Sequence, residues 1–188
     1  MRAAAVALVI LVGCKGDKKP PPKAPPPTPP SDAAVVATQP GPDPASDANF
    51  DALRVKHLSL DLSVDFTTRT LAGTAKLTFD ITDKAAAARL DVGELAITKL
   101  ASCDNDTPLA VTYLATSSKS VPGKVAVIPS PPACVVVTYT TPKDAGALLW
   151  LDAELTATKK QPMLFTQSQA ILARTWIPLQ DTPSVRFT

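Results

Sequence analysis

The sequence predicts an all-β domain of antiparallel strands over residues 51–188, behind a short apolar leader and a proline-rich spacer. Three observations predict it. Apolar and polar residues alternate with period two in one run after another. Prolines punctuate these runs from outside, where they end strand pairing. Eleven of the 20 prolines crowd between Pro20 and Pro44, where no apolar periodicity exists.

The leader is residues 1–14, MRAAAVALVILVGC. Arg2 is followed by an apolar run from Ala3 to Val12. That run is about half the ~20 residues a spanning helix needs, and it suits the core of an export signal. Its end, Leu11-Val12-Gly13-Cys14, resembles a bacterial lipobox. That resemblance implies cleavage before Cys14 and lipidation of Cys14, which anchors a protein to a membrane without spanning it. A free cysteine closing an ordinary signal is the alternative. Lys15 follows where an Asp would resemble an inner-membrane retention signal, so the expected location is the cell envelope, at the outer rather than the inner membrane.

Residues 15–50 form the spacer. KKPPPKAPPPTPPSD and QPGPDPASDAN carry no core-forming pattern. Such composition favours polyproline II and a disordered, semi-rigid tether.

The strands begin with Leu58, Leu60, Leu62, Val64 and Phe66, which alternate with Ser59, Asp61, Ser63 and Asp65. After the connection Thr67–Thr70, Leu71, Ala75, Leu77, Phe79 and Ile81 alternate again. The two runs read as an antiparallel pair with one wet face. Lys84–Arg89, KAAAAR, suits a helical turn. Leu90–Val92 and Leu95–Ile97 read as short strands around Gly93, and Leu109–Tyr113, Lys124–Ile128 and Val135–Tyr139 as three more. Cys103 and Cys134 lie in or beside loops of this exported domain. An oxidising compartment favours a disulfide between them.

Composition narrows the chemistry. Lys and Arg total 19 against 17 acidic residues, a net charge of +2, and only 5% of residues are aromatic. Nucleic acid is therefore not an expected partner: there is no basic surplus for phosphates and little surface for stacking bases. His57 is the only histidine, so this chain alone cannot build a two-histidine zinc site. At the start of a strand, His57 reads as structural or solvated.

Residues from Pro162 onward carry the most specific signal. They include Met163-Leu164-Phe165-Thr166-Gln167-Ser168-Gln169-Ala170-Ile171, then Ala173-Arg174, then Pro178-Leu179-Gln180-Asp181-Thr182-Pro183-Ser184-Val185. This stretch resembles the N-terminal domain of zinc aminopeptidases related to leukotriene A4 hydrolase and aminopeptidase N. LSLDLSVDF with LAGTAKLTFDI, and Gly146–Leu151, are similar to earlier parts of that domain.

The resemblance implies a curved, saddle-like antiparallel sheet domain packed against a catalytic domain. It implies zinc in the full-length enzyme, held by H-E-x-x-H and a downstream Glu; neither motif stands in this chain, so no catalytic or metal-binding residue is expected here. It implies a peptide substrate, with Gln167, Gln169 and Ala170 reaching its N-terminal end. A glutamine amide donates and accepts, so it can hold a peptide without reacting. The alternative is that these glutamines cap local backbone. Leu172 stands where many relatives have His. Ser184–Thr188 starts another alternating run, which leads to the expectation that the chain is the N-terminal portion of a longer enzyme. The competing expectation is a non-catalytic envelope lipoprotein with a β-sheet binding module.

Three smaller expectations complete the reading. Arg174 and Asp181 suggest an exposed ion pair of little energetic weight, with Asp181 acting as a turn residue. Trp150, Trp176 and Phe165 suggest core anchors. Lys159-Lys160 suggests a solvated loop.

Overall fold

The computed structural model describes residues 43–188. The leader, Cys14 and the spacer through residue 42 lie outside the described residues.

Nine strands form three antiparallel sheets. They are β1 (Leu53–Asp65), β2 (Thr70–Ile81), β3 (Ala88–Gly93), β4 (Ala96–Ser102), β5 (Thr112–Ala115), β6 (Lys124–Ile128), β7 (Cys134–Thr140), β8 (Leu148–Leu151) and β9 (Met163–Thr166). The sheet orders are β1-β2-β7-β4, β3-β6-β5 and β8-β9. The all-β, antiparallel class follows from the alternation. In β7 buried residues alternate strictly with half-exposed ones, a period of two that a helix could not satisfy, whereas β3 is buried on nearly every residue.

The β1–β2 hairpin pairs Leu58 with Leu77, Leu60 with Ala75 and Val64 with Leu71. Its connection is closed by Asp65, whose carboxylate accepts the Thr67 amide at 2.7 Å and the Thr68 amide at 3.1 Å. β1 starts five residues before the alternation shows itself. A bulge between Val55 and His57 reverses the phase, so Leu53 and Val55 point inward before it and Leu58 and Leu62 after it. Gly73 is required by the pairing: a Cβ there would lie 2.1 Å from the Asp61 carbonyl oxygen, and its φ is +153°.

The main core joins the first two sheets. Leu53, Val55, Ala75, Leu77, Val135, Val137 and Tyr139 come from one, and Ala88, Leu90, Val92, Ala126 and Ile128 from the other. Phe50 completes it, and Ser46 is also buried. The core therefore draws on residues whose composition belongs to the spacer.

Several sequence expectations need correction. Lys84–Arg89 makes no helix. Asp83 caps a single turn through the Ala85 amide, and Ala88 already begins β3. Four alanines cannot offset helix nucleation when Ala88 and Leu90 are drawn into the core. Leu109 and Val111 pack on the core from an irregular segment, and β5 starts later, at Thr112. Pro108 has no N–H to give a ladder, and Leu109 makes a lone bond to the Leu100 carbonyl. Ser184–Thr188 forms no regular strand. Val185 turns into the core, while Thr188 exchanges backbone hydrogen bonds with Lys56 and Leu58 on the outer edge of β1. His57 is exposed, and its Nδ1 hydrogen-bonds the Thr188 hydroxyl at 2.8 Å.

Cys103 and Cys134 are disulfide-bonded, with Cα atoms 5.4 Å apart. The bridge ties the end of β4 to the start of β7, and the Cys103 amide also donates to the Cys134 carbonyl.

Candidate functional site

The β8–β9 hairpin delivers the glutamine segment. Its register pairs Leu149 with Phe165 and Trp150 with Leu164. Leu148, Trp150 and Leu164 face a small second core with Leu71, Ala145 and Trp176. Phe66 meets Trp150 edge-to-face, ring centroids 5.5 Å apart. The other hairpin face stays open: Leu149, Met163 and Phe165 are 51%, 48% and 47% exposed. Phe165 is therefore not a core anchor, because it falls on the outward phase of β9. Trp150 and Trp176 are half-buried in the second core.

Beyond β9 the chain enters a loop. Gln167, Gln169 and Ala170 are all exposed. The Gln167 amide donates to the Ala147 carbonyl at 2.9 Å, which continues the hairpin pairing by one residue. Its side-chain Oε1 accepts the Gln169 amide at 3.0 Å. Gln167 thus caps its own loop with one oxygen, and among the described residues its NH2 makes no hydrogen bond. Among the described residues, the Gln169 side chain makes no hydrogen bond. The Gln169–Ala170 peptide bond is cis.

The loop is pinned on its far side. The Leu172 amide donates to the Ser168 carbonyl at 2.9 Å. The Trp176 indole N–H donates to the Ser168 hydroxyl oxygen at 3.0 Å. Thr175 donates its hydroxyl to the Leu172 carbonyl and accepts the Ala147 amide. Ala173–Thr175 is one 3-10 turn. Close beneath it runs Gly93, φ +50°, where a Cβ would lie 2.8 Å from the Arg174 carbonyl oxygen.

Arg174 overturns the expectation of an exposed ion pair. Its side chain is 1% exposed, and Asp181 and Asp91 are buried with it. Arg174 donates its backbone N–H and its Nε to the Asp181 carboxylate, each at 3.1 Å. Its second terminal nitrogen donates to the Ala45 carbonyl at 2.7 Å and to the Asp181 carbonyl at 3.1 Å. Its remaining nitrogen lies 3.4 Å from Asp91. Asp91 in turn accepts the Ser46 hydroxyl at 2.5 Å and the Asp181 amide at 3.0 Å. Burial pushes the Asp91 carboxyl above its ordinary value. Ser46, Arg174 and the Asp181 amide pull it back only in part, while the Asp181 charge pushes it further up. Two carboxylates share one guanidinium, so a proton on Asp91 relieves the excess negative charge.

Asp91, Ser46 and Gln180 are absent from the sequence expectations as site residues. Gln180 is fully buried and stands in for a strand neighbour: its amide oxygen accepts the Val55 N–H and its NH2 donates to the Leu53 carbonyl, both at 2.8 Å. The one signal for Asp91 was an acid between Leu90 and Val92 in an apolar strand.

Among the described residues no three His, Cys, Asp or Glu side chains converge to hold a metal ion. The donor set of the described residues does not fit a zinc site.

Residues 54–188 match the family described as the peptidase M1 N-terminal domain. Leukotriene A-4 hydrolase of Xenopus laevis is 37% identical over 151 residues, covering 78% of this chain and 25% of that protein. Aminopeptidase B of Homo sapiens is 31% identical over 167 residues, covering 77% of this chain and 26% of that protein. The structure of native yeast leukotriene A4 hydrolase matches with a TM-score of 0.68 at 25% identity, covering 81% of this chain and 24% of that one. The chain spans about a quarter of the length of these relatives.

Proposed function

From the premise that this chain belongs to the peptidase M1 N-terminal domain family, we propose that it supplies one wall of the substrate cleft of a zinc aminopeptidase. The enzyme removes N-terminal residues from peptides and is held in the bacterial cell envelope by a lipid on Cys14. The zinc belongs to the catalytic part, on a motif of two histidines and two glutamates that this chain lacks. The chain alone is inactive.

One observation carries the proposal. Within the matched region, Gln167, Gln169 and Ala170 stand exposed on a loop fixed at both ends by hydrogen bonds to buried or half-buried residues. A rigid support with a free amide tip suits a group that orients a substrate rather than one that reacts. Gln169 is the freest: its carbonyl oxygen can accept from the peptide's α-ammonium and its NH2 can donate to a peptide carbonyl. Gln167 holds the loop and offers its NH2. Ala170, without polar side-chain atoms, leaves its backbone groups accessible.

The test is to read the coding DNA past Thr188 and to assay the encoded product on aminoacyl amides. A frame that continues into H-E-x-x-H with a downstream Glu, and zinc-dependent release of N-terminal residues, supports the proposal. A stop codon directly after Thr188 overturns it in favour of a non-catalytic envelope module.

A further inference from the structure

The buried charges behind the glutamine loop have no place in the proposed reaction. Their connections run in an unexpected direction. Arg174 belongs to the 3-10 turn that pins the loop, two residues beyond the Leu172 amide that closes onto Ser168. Of its partners, the Ala45 carbonyl, and the Ser46 hydroxyl reached through Asp91, come from the N-terminal end of the described chain. Residues 45 and 46 are about 120 positions from the loop, yet they supply two groups to its support.

We infer that Arg174 is a positioning residue for the Gln167–Ala170 loop, and that Ala45 and Ser46 are part of the same device: a strap that sets the loop by fixing the Arg174 guanidinium. The inference rests on the cleft reading for its purpose, but not for its physics.

The physical reason lies in the count of groups. A guanidinium has five N–H donors in a fixed plane, so its orientation is set once three sides are engaged. Asp181 takes the Nε side together with the Arg174 backbone N–H. That double contact ties the side chain to the turn's own main chain. Ala45 takes a terminal nitrogen. Asp91, steered by Ser46, faces the other at 3.4 Å as a counter-charge without a hydrogen bond. If the strap lets go, Asp91 loses its hydroxyl donor and Arg174 loses a carbonyl acceptor in a site where both side chains are 1% exposed. The cheapest relief is for the turn to shift outward, since the core strands on the other side are fully packed. That shift moves Leu172, Thr175 and Trp176, which carry the three bonds closing the loop.

Asp47, next along the strap, grips a different region. Its carboxylate accepts the Thr116 hydroxyl at 2.9 Å and the Ser117 amide at 2.8 Å. Asn49 donates to the Ala87 carbonyl at 2.7 Å. The strap is thus anchored independently of Arg174, so in Ser46→Ala it stays in place and what is lost is the Ser46 hydroxyl's bond to Asp91 and its acceptance of the Ala48 amide.

The test uses the full chain and needs neither zinc nor turnover. The two tryptophans give two indole N–H signals in a nitrogen–proton spectrum. Trp176 donates to Ser168, whereas the buried Trp150 indole nitrogen has no partner among the described residues and serves as an internal reference. In Ser46→Ala the Trp176 indole signal moves, and the Leu172 amide exchanges about tenfold faster. Amides in β2 and β7 keep their rates, and Ser46→Thr restores the wild-type spectrum. Arg174→Lys, which keeps the charge but not the fork, reproduces the Ser46→Ala pattern.

Two results overturn the inference. One is an unchanged Trp176 signal and Leu172 exchange in both variants. The other is faster exchange in all strands equally, which would make Ser46 a general stabiliser. A parent enzyme lacking aminopeptidase activity would remove the purpose of the loop and leave the exchange pattern untouched, so the two failures are separable.

Discussion

Replacing Asp181 with Ala tests the energetics of the buried charge group most directly. The carboxylate accepts two N–H groups of Arg174 at 3.1 Å, and Arg174 is 1% exposed. Removing one partner of a buried ion pair leaves an uncompensated charge and costs roughly 3–5 kcal/mol. Here the cost falls toward the lower end, because Asp91 remains 3.4 Å away and can take over as the counter-ion. About 3 kcal/mol is roughly a fifth to three fifths of the 5–15 kcal/mol total stability typical of a folded domain. At roughly 2–4 °C per kcal/mol, the melting temperature falls by about 6–12 °C.

The assay is urea and thermal unfolding of wild type and D181A by circular dichroism across a pH series. The series adds an independent signature. In the wild type, Asp91 titrates above its ordinary value of 3.8 because it is buried beside a second carboxylate. A carboxyl whose folded pKa is raised binds a proton more tightly in the native state. Its contribution is therefore fully present at acid pH and is lost as pH rises through the folded pKa. Burial, the main cause, stays in D181A, so most of that loss persists and only the small part due to the Asp181 charge is removed. A destabilisation under about 1 kcal/mol, typical of exposed pairs, would refute this account of the cluster.

Other expectations follow from the same geometry. Gly73→Ala would place a Cβ 2.1 Å from the Asp61 carbonyl, so β1 and β2 must part, and the variant is expected as unfolded or aggregated protein in size-exclusion chromatography. Reducing Cys103–Cys134, which closes a span of 31 residues, costs about 3–4 kcal/mol in the loop-entropy account, read as a lower urea midpoint in reductant. Gln169→Ala leaves the melting temperature within about 1 °C, since an exposed side chain without a partner contributes little to stability, while in the proposed parent enzyme it raises KM for peptides. Asp65 behaves oppositely to Asp91 in pH: the Thr68 and Thr67 groups hold its carboxyl below the ordinary range, so its contribution is present near neutrality and is lost as pH falls. Asp65→Asn should flatten the acid side of the stability profile.

The sequence made some parts of this molecule plain and hid others for definite reasons. β1, β2 and β7 were legible because each has one apolar and one wetter face, while β6 showed as a short apolar run bounded by prolines. Leu53 and Val55 were not, because a bulge at Val55/His57 inverts the phase and the two halves of β1 no longer read as one run. Lys84–Arg89 misled in the opposite sense. Alanine favours helix locally, but Ala88 and Leu90 have nowhere to go except the core.

The glutamine loop shows where sequence reading stops. Its residues were visible through their resemblance to a family, and their exposure fits residues free to meet a ligand. What holds the loop was invisible, because burial of a charge is not a local property. Arg174 and Asp181 are seven residues apart in an irregular segment, a spacing that says nothing about water. Asp91, which closes the cluster, lies 90 residues before Asp181. Only its place between Leu90 and Val92 hinted that a carboxylate was being carried into the core. An acid in an apolar strand needs a partner from elsewhere, and a buried arginine needs more than one. Matching such unpaired demands along a chain locates the neighbourhood of a support, as period two locates a strand. In this protein it joins β3, the 3-10 turn and the strap in one electrostatic unit, directly beneath the residues exposed to solvent.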